Sequence, residues 1–370
     1  MAEPKRILQV LGRLNRGGAE NMVMNLYRAV DREKVQFDFV IHTDKHCDFT
    51  DEVISLGGKI FSAPRYNVKN HFAYKKWWNK FLSEHPEYKV IHGHMYSIAS
   101  IYLKIAKKYG LTTISHSHSS SAKSGIAGKV RLLTQRPLRN IPDWLFACSG
   151  LAGEWLYGKD VTNRKNYILL TNAIDTDKYV YSEIVEKEVR EEFNLGEKFV
   201  VGHVGRIFAP KNHKYLLEVF KEIKNLKFDA HLMVVGTGPM EDEVKGWIKE
   251  MGLEDSVTMT GVRSDVNRIM QSFDCFVFPS LYEGLPVTVV EAQTASLPCF
   301  VSDSVTDEVC LTDLVTMLSI EKAPSEWAKE IVLKTDGFKK YNTKQKITDA
   351  GYDIAFTAQW LQEFYLKEGK

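Results

Sequence analysis

The sequence predicts an α/β protein built as two doubly wound domains, each a parallel sheet covered by helices. Three observations carry that expectation. Short apolar runs of strand length alternate with helix-period segments almost throughout, with no repeat and no low-complexity tract. The runs end in loops of Gly, Ser, His, Arg and Glu, the groups a doubly wound sheet gathers at the carboxyl ends of its strands. The 370 residues also exceed one ordinary core, and point to two domains of roughly 150 to 190 residues. The boundary is expected near residue 180, with the second domain at 181–354.

Composition bounds the function classes. Apolar content of 44% and charged content of 26% fit a soluble globular protein. The cysteines, Cys47, Cys148, Cys275, Cys299 and Cys310, are scattered and form no CxxC or Cys/His cluster, so a structural zinc is not expected. Cys148 and Cys275 lie in strand-like runs and read as buried free thiols in a reducing compartment. The opening MAEPKRILQVLG lacks a signal-peptide apolar segment, and no run approaches the roughly 18 apolar residues needed to span a bilayer. A cytoplasmic protein is expected, with no nucleic-acid partner. The total charge of +2 hides an asymmetry: residues 1–180 carry +11 and the remainder −9. Two units with different partners follow from it.

In the first half, a strand at 6–11 leads through Gly12-Arg13-Leu14-Asn15-Arg16-Gly17-Gly18-Ala19-Glu20 into a helix at 21–30. Gly17 and Gly18 would let backbone amides approach a phosphate or sugar at the helix N-terminus. The loop lacks the G-x-G-x-x-G pattern, which argues against a nicotinamide enzyme. Strands at 37–42 and 59–63 follow. The stretch 69–82, with Trp77, Trp78, Phe81 and several lysines, suits an amphipathic helix. Its aromatics face the core as a covering helix, or lie in a membrane interface; the covering role is the simpler reading. A second basic stretch, 123–139, holds Lys129, Arg131, Arg136 and Arg139, and the two make a basic acceptor-side face, with an anionic bilayer as a candidate partner. A strand at 88–92, a helix at 98–109 and a strand at 112–115 then lead to Ser115-His116-Ser117-His118-Ser119-Ser120-Ser121. Either histidine is placed to hydrogen-bond a reacting hydroxyl. As metal ligands the pair lacks a third partner in the sequence. Strands at 143–149 and 167–172 close this half.

In the second half, a strand at 199–204 ends in Gly205-Arg206, with Lys211 five residues on at a helix start. A forked guanidinium, a point-charge ammonium and free amides converging there make a diphosphate site; the plainer alternative pairs both cations with surface glutamates such as Glu218. Strands at 231–235 and 257–260 end in loops carrying Gly236, Gly238, Val262 and Arg263. The most informative stretch is 276–303, which reads strand, loop, helix, strand. Cys275 to Phe278 is a buried run, Glu283-Gly284-Leu285-Pro286 a loop, and Pro286 suits the first position of a helix whose body is 287–295. Glu291 lies inside that helix, and a last run occupies 298–301. Helices at 327–334 and 357–367 complete the chain.

On these residues the chain resembles the retaining, nucleotide-sugar-dependent glycosyltransferases of family 4, in the GT-B superfamily. Glu283-Gly284-Leu285-Pro286 followed by Glu291 is similar to that family's E-x7-E element, Gly205-Arg206 with Lys211 to its G-R-x-x-x-x-K element, and Gly17-Gly18-Ala19-Glu20 to its N-terminal loop. Asn172-Ala173-Ile174-Asp175-Thr176-Asp177-Lys178-Tyr179 resembles its N-G-I-D-x-x-x-F segment, with alanine for the usual glycine. The resemblance implies a GT-B fold: two Rossmann-like domains facing an interdomain cleft, with the helix at 355–370 returning to the first. It implies transfer of a sugar from a nucleoside diphosphate sugar, UDP by expectation, to a hydroxyl of a glycan or lipid-linked acceptor in exopolysaccharide or capsule synthesis, with retention and without metal or cofactor. In that reading Arg206, Lys211 and the amides near Gly284 to Pro286 hold the departing diphosphate. Glu283 binds the donor sugar and Glu291 the ribose. Val262 and Arg263 read the nucleobase beside Gly236 and Gly238, and His116 or His118 meets the donor sugar. Strand register favours His116 and the residues that follow favour His118, so both stand. A non-catalytic sugar-nucleotide-binding partner, a phosphorylase and an epimerase are the alternatives.

Overall fold

The computed structural model describes residues 3–96, 98–118 and 135–369. The chain divides into two compact units, one running to Ala173 and completed by the segment from Ile354 onward, the other Ile174–Asp353. The division falls at Ala173 rather than near residue 180. The Ile174 amide donates to the Tyr352 carbonyl at 2.9 Å and Ile174 bridges to Asp353, which ties 174–180 to the second unit.

The first unit is a seven-stranded parallel sheet of β1 (Lys5–Val10), β2 (Val35–Ile41), β3 (Ile60–Ser62), β4 (Val90–Gly93), β5 (Thr112–Ser117), β6 (Trp144–Ala147) and β7 (Tyr167–Leu169). Its order is β3-β2-β1-β4-β5-β6-β7, so the winding reverses between β1 and β4. Helices cover both faces, and the strands are buried accordingly; every residue of β2 is buried. Asp38 is tolerated there because Arg6 grips it with two bonds of 2.5 Å and the Tyr88 hydroxyl donates to it at 2.7 Å. The basic-aromatic stretch forms helix His71–Glu84, with Tyr74, Trp78, Phe81 and Leu82 buried while Lys75, Lys76 and Lys80 are exposed. It is a covering helix, and among the described residues no helix is long and apolar enough to cross a membrane. Of the second basic stretch, Lys123, Lys129 and Arg131 lie outside the described residues, as do Ser119 to Ser121. Helix Ile354–Glu368 packs Leu361 and Tyr365 into the core formed by helix Gly18–Ala29, Phe37 and Phe146.

The second unit is a six-stranded parallel sheet of β8 (Val200–Val204), β9 (His231–Val235), β10 (Val257–Gly261), β11 (Cys275–Phe278), β12 (Cys299–Ser302) and β13 (Val315–Leu318). Its order, β10-β9-β8-β11-β12-β13, reverses between β8 and β11. β13 escaped the sequence reading: it is a half-buried four-residue edge strand with one fully buried side chain, Leu318, and so little apolar signal. Gly202 on β8 is fixed by packing, since a Cβ there would meet the Phe273 ring at 1.9 Å. All five cysteines are free thiols, Cys310 alone being exposed.

Candidate functional site

In the second unit the loops after β8 and β11 open on either side of the reversal, where a doubly wound sheet leaves a crevice. Gly205 ends the first strand, and a Cβ there would come within 3.1 Å of Lys211 Cε, so glycine admits the lysine stem. Lys211 ends a short turn, Ala209–Lys211, and is nearly buried. Its Nζ sits 2.8 Å from Glu283 Oε1 and 4.2 Å from the centre of the Phe278 ring. The Glu283 contact is an ion pair without the angular geometry of a hydrogen bond, so that oxygen keeps its accepting capacity. Burial lowers the Lys211 pKa, and Glu283 partly offsets this. Arg206 is exposed, has no carboxylate partner among the described residues and lies 5.7 Å from the Phe208 ring. The cations therefore do not pair with Glu218.

Gly284 is exposed, with open space where a side chain would stand, and Leu285 packs against the core. Pro286 is the N-cap of helix Val287–Thr294 rather than its first residue. Glu291, one turn in, accepts a 2.8 Å bond from the Tyr179 hydroxyl. Burial pushes its carboxyl up to about 7, against the opposing pull of that bond. The two glutamates thus have different partners and chemistry. Tyr179 closes the Asn172–Tyr179 segment singled out in the sequence, but its bond to a glutamate 112 residues away was not legible there.

Gly236 and Gly238 have a steric reason of their own. A Cβ on Gly236 would meet the Gly205 carbonyl at 2.1 Å, and one on Gly238 the Ile207 carbonyl at 2.0 Å, so both let the β9 loop lie against the β8 loop. Gly236 also has φ of +135°, a region that favours glycine. Val262 is 69% exposed. The Arg263 guanidinium is committed to Asp265 at 2.8 Å and Glu192 at 3.1 Å, which leaves its backbone, not its side chain, available to a ligand.

In the first unit, Gly17 is the extended N-cap of helix Gly18–Ala29, and nothing crowds Gly18. The strand carrying the histidines runs two residues further than expected, to Ser117. His116 is therefore inside the sheet and fully buried, while His118, just past the strand, is partly accessible. The register argument for His116 rested on an earlier strand end.

The pair also has more company than expected. β4 runs beside β5 and delivers His92 and His94, so four imidazoles stack with centroids 4.1 to 5.4 Å apart. The signal was present: His92-Gly93-His94 and His116-Ser117-His118 repeat one H-x-H pattern on consecutive strands. Ligand nitrogens of His92, His94 and His116 all lie within 4.8 Å of one another, so the missing third imidazole exists. The facing nitrogens, His92 Nε2 to His116 Nδ1 at 3.2 Å and His94 Nδ1 to His118 Nε2 at 2.8 Å, are placed to share protons.

Proton positions follow from the network. The Gln9 amide donates to the Tyr365 hydroxyl at 3.2 Å, and its carbonyl accepts from His94 Nε2 at 2.9 Å. His94 Nδ1 must then accept from His118 Nε2–H, which leaves His118 Nδ1 a bare lone pair. The Tyr365 hydroxyl donates to His92 Nδ1 at 2.6 Å, His92 Nε2–H donates to His116 Nδ1, and His116 Nε2–H is left over. Both leftover nitrogens are buried without a hydrogen bond of normal geometry; the Leu170 carbonyl approaches His116 only poorly aligned. Burial lowers the pKa of all four, that of His118 to about 3, so the array is neutral.

Comparison with known proteins identifies the family and the fold. The family described as "Glycosyl transferases group 1" matches residues 185–336, and "Glycosyltransferase Family 4" matches 16–178. EpsF of Bacillus subtilis, named as a glycosyltransferase, is 34% identical over 94% of this chain and 93% of its own. The capsular polysaccharide biosynthesis glycosyltransferase CapH of Staphylococcus aureus is 24% identical over 98% of this chain and 99% of its own. Among solved structures, Anabaena HepE in complex with UDP superposes with a TM-score of 0.78 at 17% identity, covering 98% of this chain and 99% of that one. Both chains share the GT-B fold of two Rossmann-like domains.

Proposed function

The chain belongs to the group 1 glycosyl transferases of family 4, and from that premise we propose that it transfers a sugar from UDP-sugar to a hydroxyl of a glycan or lipid-linked acceptor, with retention and without a metal, in cell-surface polysaccharide synthesis. The supporting observation is the Lys211–Glu283 pair at the strand reversal of the second unit, 2.8 Å apart and nearly buried, beside an uncommitted Arg206. A diphosphate reaching that crevice meets an ammonium, a guanidinium and the amides of Gly284 and Leu285, Pro286 having none. Charge on the departing diphosphate is neutralised there as the glycosidic bond breaks. Lys211 is held ready by Glu283, whose other accepting positions take a donor-sugar hydroxyl. Glu291 accepts from the ribose hydroxyls. The first unit takes the acceptor, and His118, the partly accessible member of the histidine array, meets a sugar hydroxyl. The name of CapH and the UDP complex of HepE support the polysaccharide and uridine parts of this reading.

A panel of nucleotide sugars, with released nucleotide and product anomer as readouts, tests it. Release of UDP from one UDP-sugar together with an anomerically retained product is the expected result. Inversion, or sugar-nucleotide binding with no release from any donor, would overturn it.

A further inference from the structure

The first unit has a cavity of about 490 Å³ that the proposed chemistry does not use. It lies at the carboxyl ends of β1 to β4. Three cations line it, each delivered by a different strand end: Arg13 after β1, Lys45 after β2 and Arg65 after β3. Among the described residues no carboxylate lines it. Among the described residues none of the three makes an ion pair, whereas Arg6 and Arg28 in the same unit pair with Asp38 and Glu52. Glu20 feels the charge of Arg13 without pairing with it. His42 adds no charge: its nitrogens are occupied by the Leu11 carbonyl at 3.0 Å and the Tyr74 hydroxyl at 2.8 Å, and burial lowers its pKa. Thr43 and Tyr66 supply hydroxyls to the wall. Three cations outside any ion pair in one concavity concentrate positive potential, and guanidinium forks match phosphate oxygens two at a time.

We propose that this cavity binds the phosphate or diphosphate of an anionic acceptor, with Arg13, Lys45 and Arg65 as its binding residues. The acceptor role rests on the transferase reading; the anion site does not. Titrating the full-length protein with inorganic pyrophosphate, by calorimetry and without donor, tests it in the wild type, in R13A/K45A/R65A and in K211A. The wild type is expected to show two sites. The triple variant should lose one, with affinity weakened roughly tenfold or more, and keep the one that K211A removes. Its melting should be unchanged, because all three side chains are exposed. A triple variant with wild-type stoichiometry and affinity overturns the proposal. So does one that loses binding to phosphatidylglycerol vesicles while still binding pyrophosphate normally, since the cations would then serve a membrane surface. A wild type with a single site, removed by the triple variant and untouched by K211A, supports the cavity while overturning the donor site.

Discussion

The two units run the same strand order through six strands, and both place polar side chains where that order reverses. What they place there is opposite. At β8 and β11 the side chains are ionic: an exposed Arg206 and a nearly buried Lys211 held by Glu283. At β1 and β4 the side chains on the sheet itself are neutral, with Gln9, His92 and His94 joined by hydrogen bonds to Tyr365, His116 and His118, while the cations Arg13, Lys45 and Arg65 stand further out in the loops. A shared topology supplies the crevice, and the residues at four strand ends decide whether its floor is ionic or neutral.

Removing the ionic side should cost most. Lys211→Ala is expected to lower turnover about 10²–10³-fold, the magnitude of losing one preorganised contact to developing charge, while circular dichroism shows the fold intact. Near-normal turnover in K211A, and likewise in Glu283→Ala, would remove these residues from the site.

The next test separates the units by acid. The unfolded chain protonates histidine below about pH 6.5, whereas the four imidazoles of the array stay neutral in the fold, and buried His42 of the same unit is lowered in the same direction. Their lowered pKa values therefore give stability that is present above pH 6.5 and lost as pH falls below it, by up to about 1.4 kcal/mol per pH unit per imidazole. The second unit has three buried imidazoles, His203, His213 and His231, with pKa values lowered in the same way. Hydrogen exchange at pH 7 and pH 5 should show the first unit losing more protection; equal losses would contradict the neutral array.

A smaller effect is expected from Gln9→Leu, which removes the group that orients both histidine chains. The rate should fall on the order of tenfold, for a lost hydrogen bond that fixes a tautomer, with the KM for donor unchanged. A rise in that KM with an unchanged rate would assign Gln9 to donor binding instead. Glu291→Gln should act on stability in the opposite sense to the histidines. A carboxyl raised to about 7 stabilises the donor-free fold at low pH, and that contribution is lost as pH rises from about 4.5 through 7. The glutamine variant should lack this slope in a melt series. The smallest effect is none: activity should survive excess chelator, and a strict Mg²⁺ or Mn²⁺ requirement would refute a mechanism resting on Arg206 and Lys211.

The sheets were legible in the sequence because parallel strands buried on both faces read as unbroken apolar runs, as at Phe276 to Phe278. Edge strand β13, only partly buried, left a weaker trace. Arg206, Lys211, Glu283 and Glu291 were legible because each stands at a fixed offset from such a run. Their partners were less so: Tyr179 reaches Glu291 across 112 residues and Tyr365 reaches His92 across 273, and neither separation leaves a local pattern. The histidine array lay between these cases. Its repeated H-x-H was readable, but only the pairing of β4 with β5 turns it into one cluster.

Helix Ile354–Glu368 bears on how the protein is made. The ribosome delivers the strands of the first unit early, yet this helix emerges only after the whole second unit. Until then Phe37, Phe146 and Trp144 lack the rings of Tyr365, Trp360 and Phe364 that cover them, and Gln9 and His92 lack the Tyr365 hydroxyl. The earlier of the two units to be synthesised is thus the later to be finished, and it waits with an apolar groove open to chaperones. A chain stopped after Asp353 should bind a hydrophobic dye that the longer chain excludes, and equal dye binding by the two would show that the groove closes without its helix. Transfer competence is then withheld from every nascent chain until its second domain has been translated.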